Sequence, residues 1–312
     1  MSTVELETPV TTPPLQDDPG DELAVSSPSS PSAHGTPPSA WKRFKTSWLA
    51  KPTVLVALAW LAVVLLAAVF PAALAPGNPI QGDVTQKLLP PGSEHWFGTD
   101  QLGRDVYTRV VHGAGLTLHA VMIAIALGLI VGSLLGLLAG FLGGRTETLV
   151  MRLADVLLSI PDLLLMLTVV VALGVGTVNI ALAVGLVSIA SVARVMRAEV
   201  LKVKQSPYVE AARAGGAKTG RILVRHVLPN AYGPVLVLGV LQFGTMILAI
   251  SALSFLGYGA PPPAPEWGAI VSQGRDYLAA QGWISTVPGL VIAATVLSVN
   301  RIANALNERF DS

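Results

Sequence analysis

The stretch Tyr208-Val209-Glu210-Ala211-Ala212-Arg213-Ala214-Gly215-Gly216-Ala217, continued by Lys218-Thr219-Gly220-Arg221-Ile222-Leu223-Val224-Arg225-His226-Val227-Leu228-Pro229-Asn230, is a long basic interruption between two apolar segments. Glu210, Ala211 and Ala212 are good helix formers placed just after Pro207, and Gly215-Gly216 suits a helix stop and a tight turn. Pro229 suits a second break before the next apolar segment. The pattern therefore predicts a short helix, a turn and a second helix presented at a surface. Two readings stay open on the residues alone. One is a docking element for a partner. The other is an amphipathic interfacial helix whose basic side lies on anionic lipid. A nucleotide site is a false lead here: Gly-Gly-Ala-Lys-Thr has Ala217 where a phosphate-binding loop needs Gly before Lys, and no apolar strand precedes it.

The rest of the chain is apolar to an extent that excludes a soluble domain. Of 312 residues, 52% are hydrophobic and only 12% are charged, roughly half the 25% charged content usual in soluble proteins. The apolar residues fall into six runs, each close to the ~20 residues that cross ~30 Å of hydrocarbon. They cover about Thr53 to Leu74, Leu116 to Phe141, Met151 to Leu173, Val178 to Val195, Ala231 to Gly257 and Trp283 to Asn304. Six crossings put both termini on one side. If that side is the cytoplasm, 16 of the 20 Lys and Arg residues are inside, eight of them between Arg194 and Arg225. Only Lys87, Arg104, Arg109 and Arg275 are outside. The positive-inside rule then makes both termini cytoplasmic. The expectation is an all-α membrane protein, with an outer loop at about 75–115 and a basic inner loop at about 196–230 in a six-helix unit over 53–312.

Residues 1–40 are rich in Pro, Ser and Thr and hold six acids with no Lys or Arg, which predicts a disordered acidic tail rather than a signal peptide. Residues 41–52, with Trp41, Trp48, Lys42, Arg43, Lys45 and Lys51, suit a basic segment at the lipid headgroups. With no cysteine in the chain, disulfides, thiolate metal sites and Cys nucleophiles are excluded. No set of metal-ligating or Ser/His/Asp residues clusters at one depth, so a membrane enzyme is not expected.

Within the apolar runs, Gly128, Gly132, Gly136 and Gly140 recur every fourth residue and predict a bare helix face for close packing. Asp155 and Asp162 are ionisable groups near membrane depth. Arg152 and Asp155 are spaced to pair on one helix. Asp162 follows Pro161, where a structural role is favoured over an ion relay because spans one, five and six offer no partner acid. His119 reads as a hydrogen-bonded helix residue. An ion-coupled secondary transporter would need midplane acids and matched broken helices, and Asp162 alone speaks for that.

Glu210-Ala211-Ala212, Gly216 six positions after the Glu, and Leu228-Pro229 match the spacing of the EAA loop of ABC importer permeases. Three further stretches resemble the C-type subunit of the dipeptide/oligopeptide/nickel permease family. They are His95-Trp96-Phe97-Gly98-Thr99-Asp100-Gln101-Leu102-Gly103-Arg104-Asp105, then Ala252 to Gly257 with Pro262 to Gly268, and Gly140 to Gly144 with Pro288-Gly289-Leu290. The resemblance runs from about Trp41 to Arg309. It departs at Gly113-Ala114-Gly115, where the family often has Gly-Ala-Arg. It departs again at Ile250, near which many relatives carry an acid, and at Asn300-Arg301-Ile302-Ala303-Asn304, which replaces the usual ending.

The resemblance implies a type I ABC importer permease fold in the plasma (inner) membrane, moving dipeptides or short oligopeptides, with nickel or another small solute as the variant. It implies a homologous B-type permease, two ATPase subunits that hold ATP and Mg, an extracytoplasmic substrate-binding protein and membrane lipid as partners, and no nucleic acid. No cofactor or catalytic residue is expected in this chain itself. In the family the EAA helix docks in a groove of the ATPase. By position, Glu210 would cap or ion-pair at that surface, Ala211 and Ala212 would allow close approach, Gly216 would turn the chain, and Leu228 and Pro229 would lead into span five. The outer-loop motif of His95, Gly98, Thr99, Asp100, Gly103, Arg104 and Asp105 is expected to meet the binding protein or line the external mouth. Asp100, Arg104 and Asp105 are expected to pair locally. Substrate-contacting residues are not legible.

Overall fold

The computed structural model describes residues 51–310, the last five by backbone alone. The acidic segment 1–40 and residues 41–50 of the basic stretch lie outside the described residues. Nine helices carry the architecture: α1 Pro52–Val69, α2 Val106–Leu142, α3 Gly144–Ser159, α4 Asp162–Leu173, α5 Thr177–Lys204, α6 Pro207–Ala214, α7 Thr219–Phe255, α8 Trp267–Gly274 and α9 Trp283–Phe310. Five of them, α1, α2, α5, α7 and α9, are each long and apolar enough to cross a membrane.

The expected third crossing, 151–173, is not one helix. It is α3 and α4, which only together are long and apolar enough to cross a membrane and which are bent by 97°. Pro161 is the cause. Its ring disfavours the helical region for the residue before it, and Ile160 is extended at φ −92°, ψ 133°. At ~1.5 Å per residue, the twelve residues of α4 reach about 18 Å. The charged, amphipathic α3 completes the pair from the side. Its Glu147 takes Arg197 of α5, and its Asp155 accepts from Arg194 of α5 at 2.7 Å. Asp155 thus pairs across to α5 and not with Arg152 on its own helix.

Helix α2 starts earlier than its apolar run, because Asp105 caps it, accepting from the Thr108 N–H and Thr108 Oγ1 at 2.7 Å each. It stops at Gly143 and Gly144, both with positive φ. Its 37 residues extend about 55 Å, well beyond a ~30 Å hydrocarbon core. The α2–α5 pair is the most extensive helix contact in the molecule. A Cβ built on Gly132 would sit 2.7 Å from the Val192 Cβ, and one on Gly140 would sit 2.9 Å from the Val200 Cβ. Gly128 faces Ser188 and Gly136 faces Ala193 and Met196 in the same way. All four glycines of the stripe lie against α5, so its side chains and carbonyls sit directly on the α2 backbone.

Two apolar clusters fill the bundle. One, around Val121, Ala124, Ile180, Ile247, Ile250 and Trp267, occupies the half near the start of α2. The other, around Leu137, Met196, Val200, Val209, Val227 and Val235, occupies the half near its end. Trp60 Nε1 donates to Thr295 Oγ1 at 3.1 Å and ties α1 to α9.

Candidate coupling surface and charged cap

At the end of α2, the expected 196–230 loop is folded as the last turns of α5, then α6 and the first turns of α7. Pro207 opens α6, Glu210 lies in its first turn where a negative charge favours the helix dipole, and Gly216 at φ +78° closes it. The Ala217 N–H bonds the Ala212 carbonyl at 3.1 Å and the Gly216 N–H bonds that of Arg213 at 3.0 Å. This is the Schellman pair that a left-handed residue permits. A Cβ on Gly216 would touch nothing within 4 Å. Conformation, not crowding, requires glycine there.

Val209 is the inward anchor of α6, fully buried with Ile222, Val227, Val203 and Met196. Tyr208, Glu210, Ala211, Arg213, Ala214, Gly215 and Gly216 are exposed, and Ala212 is half-buried. Among the described residues Glu210 has no ion-pair partner. The result is an exposed patch of small side chains, flanked by one acid and one Arg, on a helix fixed from below.

The expected break at Pro229 is absent. Leu228 and Pro229 lie inside the continuous helix α7, and the adjustment comes earlier, as a π-helical turn over Leu223–Val227. The Leu228 N–H reaches back five residues to the Leu223 carbonyl. That wider turn absorbs the donor that Pro229 lacks, so the helix continues. Asn230 Nδ2 adds a bond to the His226 carbonyl at 2.6 Å.

At the opposite end of α2, the 75–105 loop is a folded cap. Gly98 and Gly103 both turn at φ +72°, and a Cβ on Gly98 would lie 2.6 Å from the Leu89 carbonyl oxygen. Thr99 Oγ1 donates to the Gln86 carbonyl at 2.5 Å and accepts from the Leu89 N–H at 2.8 Å. Trp283 Nε1 of α9 donates to the Thr99 carbonyl at 3.3 Å.

Of Asp100, Arg104 and Asp105, the first two form the expected local pair, and Asp105 stands apart from it. Asp105 is occupied by the α2 cap and by His95 Nδ1 at 3.0 Å. Asp100, 1% exposed, accepts from Arg104 Nε at 2.7 Å and from Arg109 Nη1 at 2.5 Å. Gln273 Oε1 of α8 accepts from both guanidinium groups at 3.1 Å. Arg109 and Gln273 were not legible as partners. Arg109 counts in the sequence only as an outer cation, and Gln273 stands 164 residues away from it.

Glu266 is completely buried at the N-terminus of α8, accepting from the Gly268 N–H at 3.1 Å and the Ala269 N–H at 3.2 Å. Burial pushes its carboxyl above the ordinary glutamate range, against the opposing pull of those hydrogen bonds. Trp267 beside it, 1% exposed, donates from Nε1 to the Val110 carbonyl at 2.8 Å, so the Pro-Glu-Trp-Gly stretch locks α8 onto α2. His119 Nδ1 meets the Gly115 carbonyl at 2.6 Å within its own helix. Asp162, in the first turn of α4, faces a cavity between α4, α5 and α7.

Residues 132–312 match the family model described as the binding-protein-dependent transport system inner membrane component. The chain is 35% identical over 272 residues to the dipeptide transport system permease protein DppC of Alkalihalophilus pseudofirmus, covering 87% of this chain and 88% of that one. It is 37% identical over 272 residues, with the same coverage, to the glutathione transport system permease protein GsiD of Escherichia coli O6:K15:H31. The crystal structure of an amino acid ABC transporter with histidines matches at a TM-score of 0.52 and 17% identity, over 64% of this chain and 94% of that one, a likeness of fold. On the family model and on both relatives, the chain belongs to the binding-protein-dependent transport system inner membrane components, the permeases of ABC transporters.

Proposed function

We propose that this chain is one permease subunit of an ABC importer that carries dipeptides or short oligopeptides inward across the plasma membrane, driven by ATP and Mg held on separate ATPase subunits. The observation that carries the coupling reading is α6, whose exposed small-residue face stands on Val209 and ends in a conformation only glycine adopts readily. Such a face admits the close backbone approach of a helix-in-groove contact. Glu210, Ala211, Ala212 and Gly216 form that contact, and Leu228 and Pro229 carry it into α7. The loop faces the cytoplasm with both termini, as the eight basic residues between Arg194 and Arg225 favour. The folded cap built on Asp100, Arg104, Asp105, His95, Thr99, Gly98 and Gly103 is the surface offered to an extracytoplasmic binding protein. A homologous permease completes the pathway. The peptide substrate is supported by the relatives, which are named for dipeptide and glutathione transport.

Purification through a tag on this chain should bring down two ATPase copies and a second permease. The complex in proteoliposomes should take up a labelled dipeptide only with ATP and the binding protein. Uptake driven by an ion gradient without ATP would overturn this reading.

A further inference from the structure

The cavity between α4, α5 and α7 has a volume of about 280 Å³. That is near the lower end of ligand pockets, roughly 300–1,000 Å³, and suits one end of a small peptide rather than all of it. Its wall is mostly aliphatic, from residues such as Leu163, Val187 and Met246, and Asp162 is the single ionisable residue on it. The other polar groups are Ser188, Ser191, Gln242 and Thr245.

The hydrogen-bond accounts of those groups are one-sided. The Ser188 hydroxyl donates to the Gly185 carbonyl at 3.1 Å, that of Ser191 to the Ser188 carbonyl at 2.9 Å, and that of Thr245 to the Gln242 carbonyl at 2.8 Å. All three hydroxyl protons are therefore committed to backbone carbonyls. Because the Ser191 proton is spent, Ser191 Oγ can only accept from Gln242, which fixes the amide with Nε2 toward it at 2.9 Å. Gln242 Oε1 is left buried with no hydrogen-bond partner among the described residues. Asp162 has no ion pair among the described residues. The wall thus offers unfilled acceptors, one of them a carboxylate, and almost no free donors. Gln242 Oε1, buried without a partner, costs free energy until a donor arrives, whereas the exposed Asp162 adds charge to the same wall.

We propose that this cavity is a cation-accepting subsite in which Asp162 and Gln242 Oε1 hold the α-ammonium end of a peptide in transit. An ammonium group carries three donors and one positive charge, which complements two acceptor groups, one of them a carboxylate. The aliphatic wall takes the first side chain without selecting it. The peptide identity of the cation rests on the importer reading above, whereas the preference of the cavity for cations does not.

The chain has no cysteine, so Thr245→Cys places one thiol of this chain in the wall. In the purified complex, the reaction of that thiol with a quaternary-ammonium methanethiosulfonate and with a sulfonate methanethiosulfonate is followed by mass spectrometry of this chain. The ratio of the two rates cancels any effect of Asp162 on the thiol itself. The cationic reagent should react about 10-fold faster relative to the anionic one. Asp162→Asn should erase that preference and Asp162→Glu should keep it. Dialanine should slow labelling by the cationic reagent, and N-acetyl-dialanine should not. Equal rates in the parent, a preference indifferent to Asp162→Asn, or no labelling at all would overturn the subsite. If the reagents behave as expected but the complex neither binds nor imports peptides, the peptide reading falls and the cation preference stands.

Discussion

Asp100 shows what a single residue carries in the cap. It is buried between two guanidinium groups, each itself almost fully buried, and its Oδ1 also accepts the N–H groups of Leu102 and Arg104. Removing the carboxylate leaves two buried cations facing each other, a loss of about 3–5 kcal/mol for one broken buried pair. Asp100→Ala should therefore lower the melting temperature of the detergent-solubilised protein sharply. Asp155→Asn, which breaks an exposed pair with Arg194, should cost only about 0–1 kcal/mol. Glu266 works through protons. Its carboxyl is raised in the folded protein, so the native state holds a proton that the unfolded chain has released. Its contribution is fully present below the ordinary value of 4.5 and is lost as pH rises through the higher folded value. Thermal melts from pH 4 upward should fall more steeply for the parent than for Glu266→Gln. Equal slopes would remove Glu266 as their source. At this scale the sequence was readable where chemistry is local, as at Gly215-Gly216 ending a helix or Asp100 pairing with Arg104, while Asp105, expected in that pair, caps α2. It was silent about Gln273, because nothing near Gln273 in the chain marks it as an arginine's partner.

The elements were readable in proportion to how far their signal is periodic. The glycine stripe of α2 announces a close helix contact, and the structure supplies the partner, α5. Gly132 has the Val192 side chain and the Ile189 carbonyl within 3 Å of where a Cβ would stand. Gly132→Leu should force α2 and α5 apart and abolish recovery of folded protein. Gly132→Ala should lower the melting temperature, by the equivalent of about 1–3 kcal/mol for overpacking. Gly144→Ala is the useful contrast. It meets nothing within 4 Å, so any loss there comes from its φ of +58° alone. Equal damage from Gly132→Ala and Gly144→Ala would show that backbone strain, and not contact with α5, sets the cost. Two departures from the sequence reading, a bend within 151–173 and a missing break at Pro229, involve proline. Proline's effect depends on what the preceding turn does with the unbonded carbonyl. At Pro161 the chain leaves the helix, and at Pro229 a π turn keeps it. Residue identity alone does not distinguish these outcomes.

For the whole molecule, the question is how motion at α6 reaches the spans. Val209 does not merely anchor the short helix. It shares one apolar cluster with Leu137 of α2, Met196 and Val200 of α5, and Val227 and Val235 of α7. On the coupling role proposed above, displacement of α6 would be passed to three spans through this side-chain packing. The cavity bearing Asp162 lies between two of those spans and the bent helix α4, so tilting α5 against α7 would change its walls. On that proposed reading, docking and transmission fall on different residues. Glu210→Lys and Gly216→Pro alter the docking face or the turn that shapes it, since proline cannot adopt a positive φ. Either should leave the protein inserted and folded but remove the ATPase subunits from the purified complex or abolish their stimulation by substrate. Val209→Ala leaves that face intact and removes two buried carbons, about 0.8 kcal/mol each before any cavity term. It should keep the ATPase subunits bound and hydrolysing ATP while peptide uptake per ATP falls severalfold. Uptake per ATP unchanged in Val209→Ala would mean that force enters the spans by another route. Full ATP-driven uptake in both Glu210→Lys and Gly216→Pro would mean that α6 is not where the ATPase is felt.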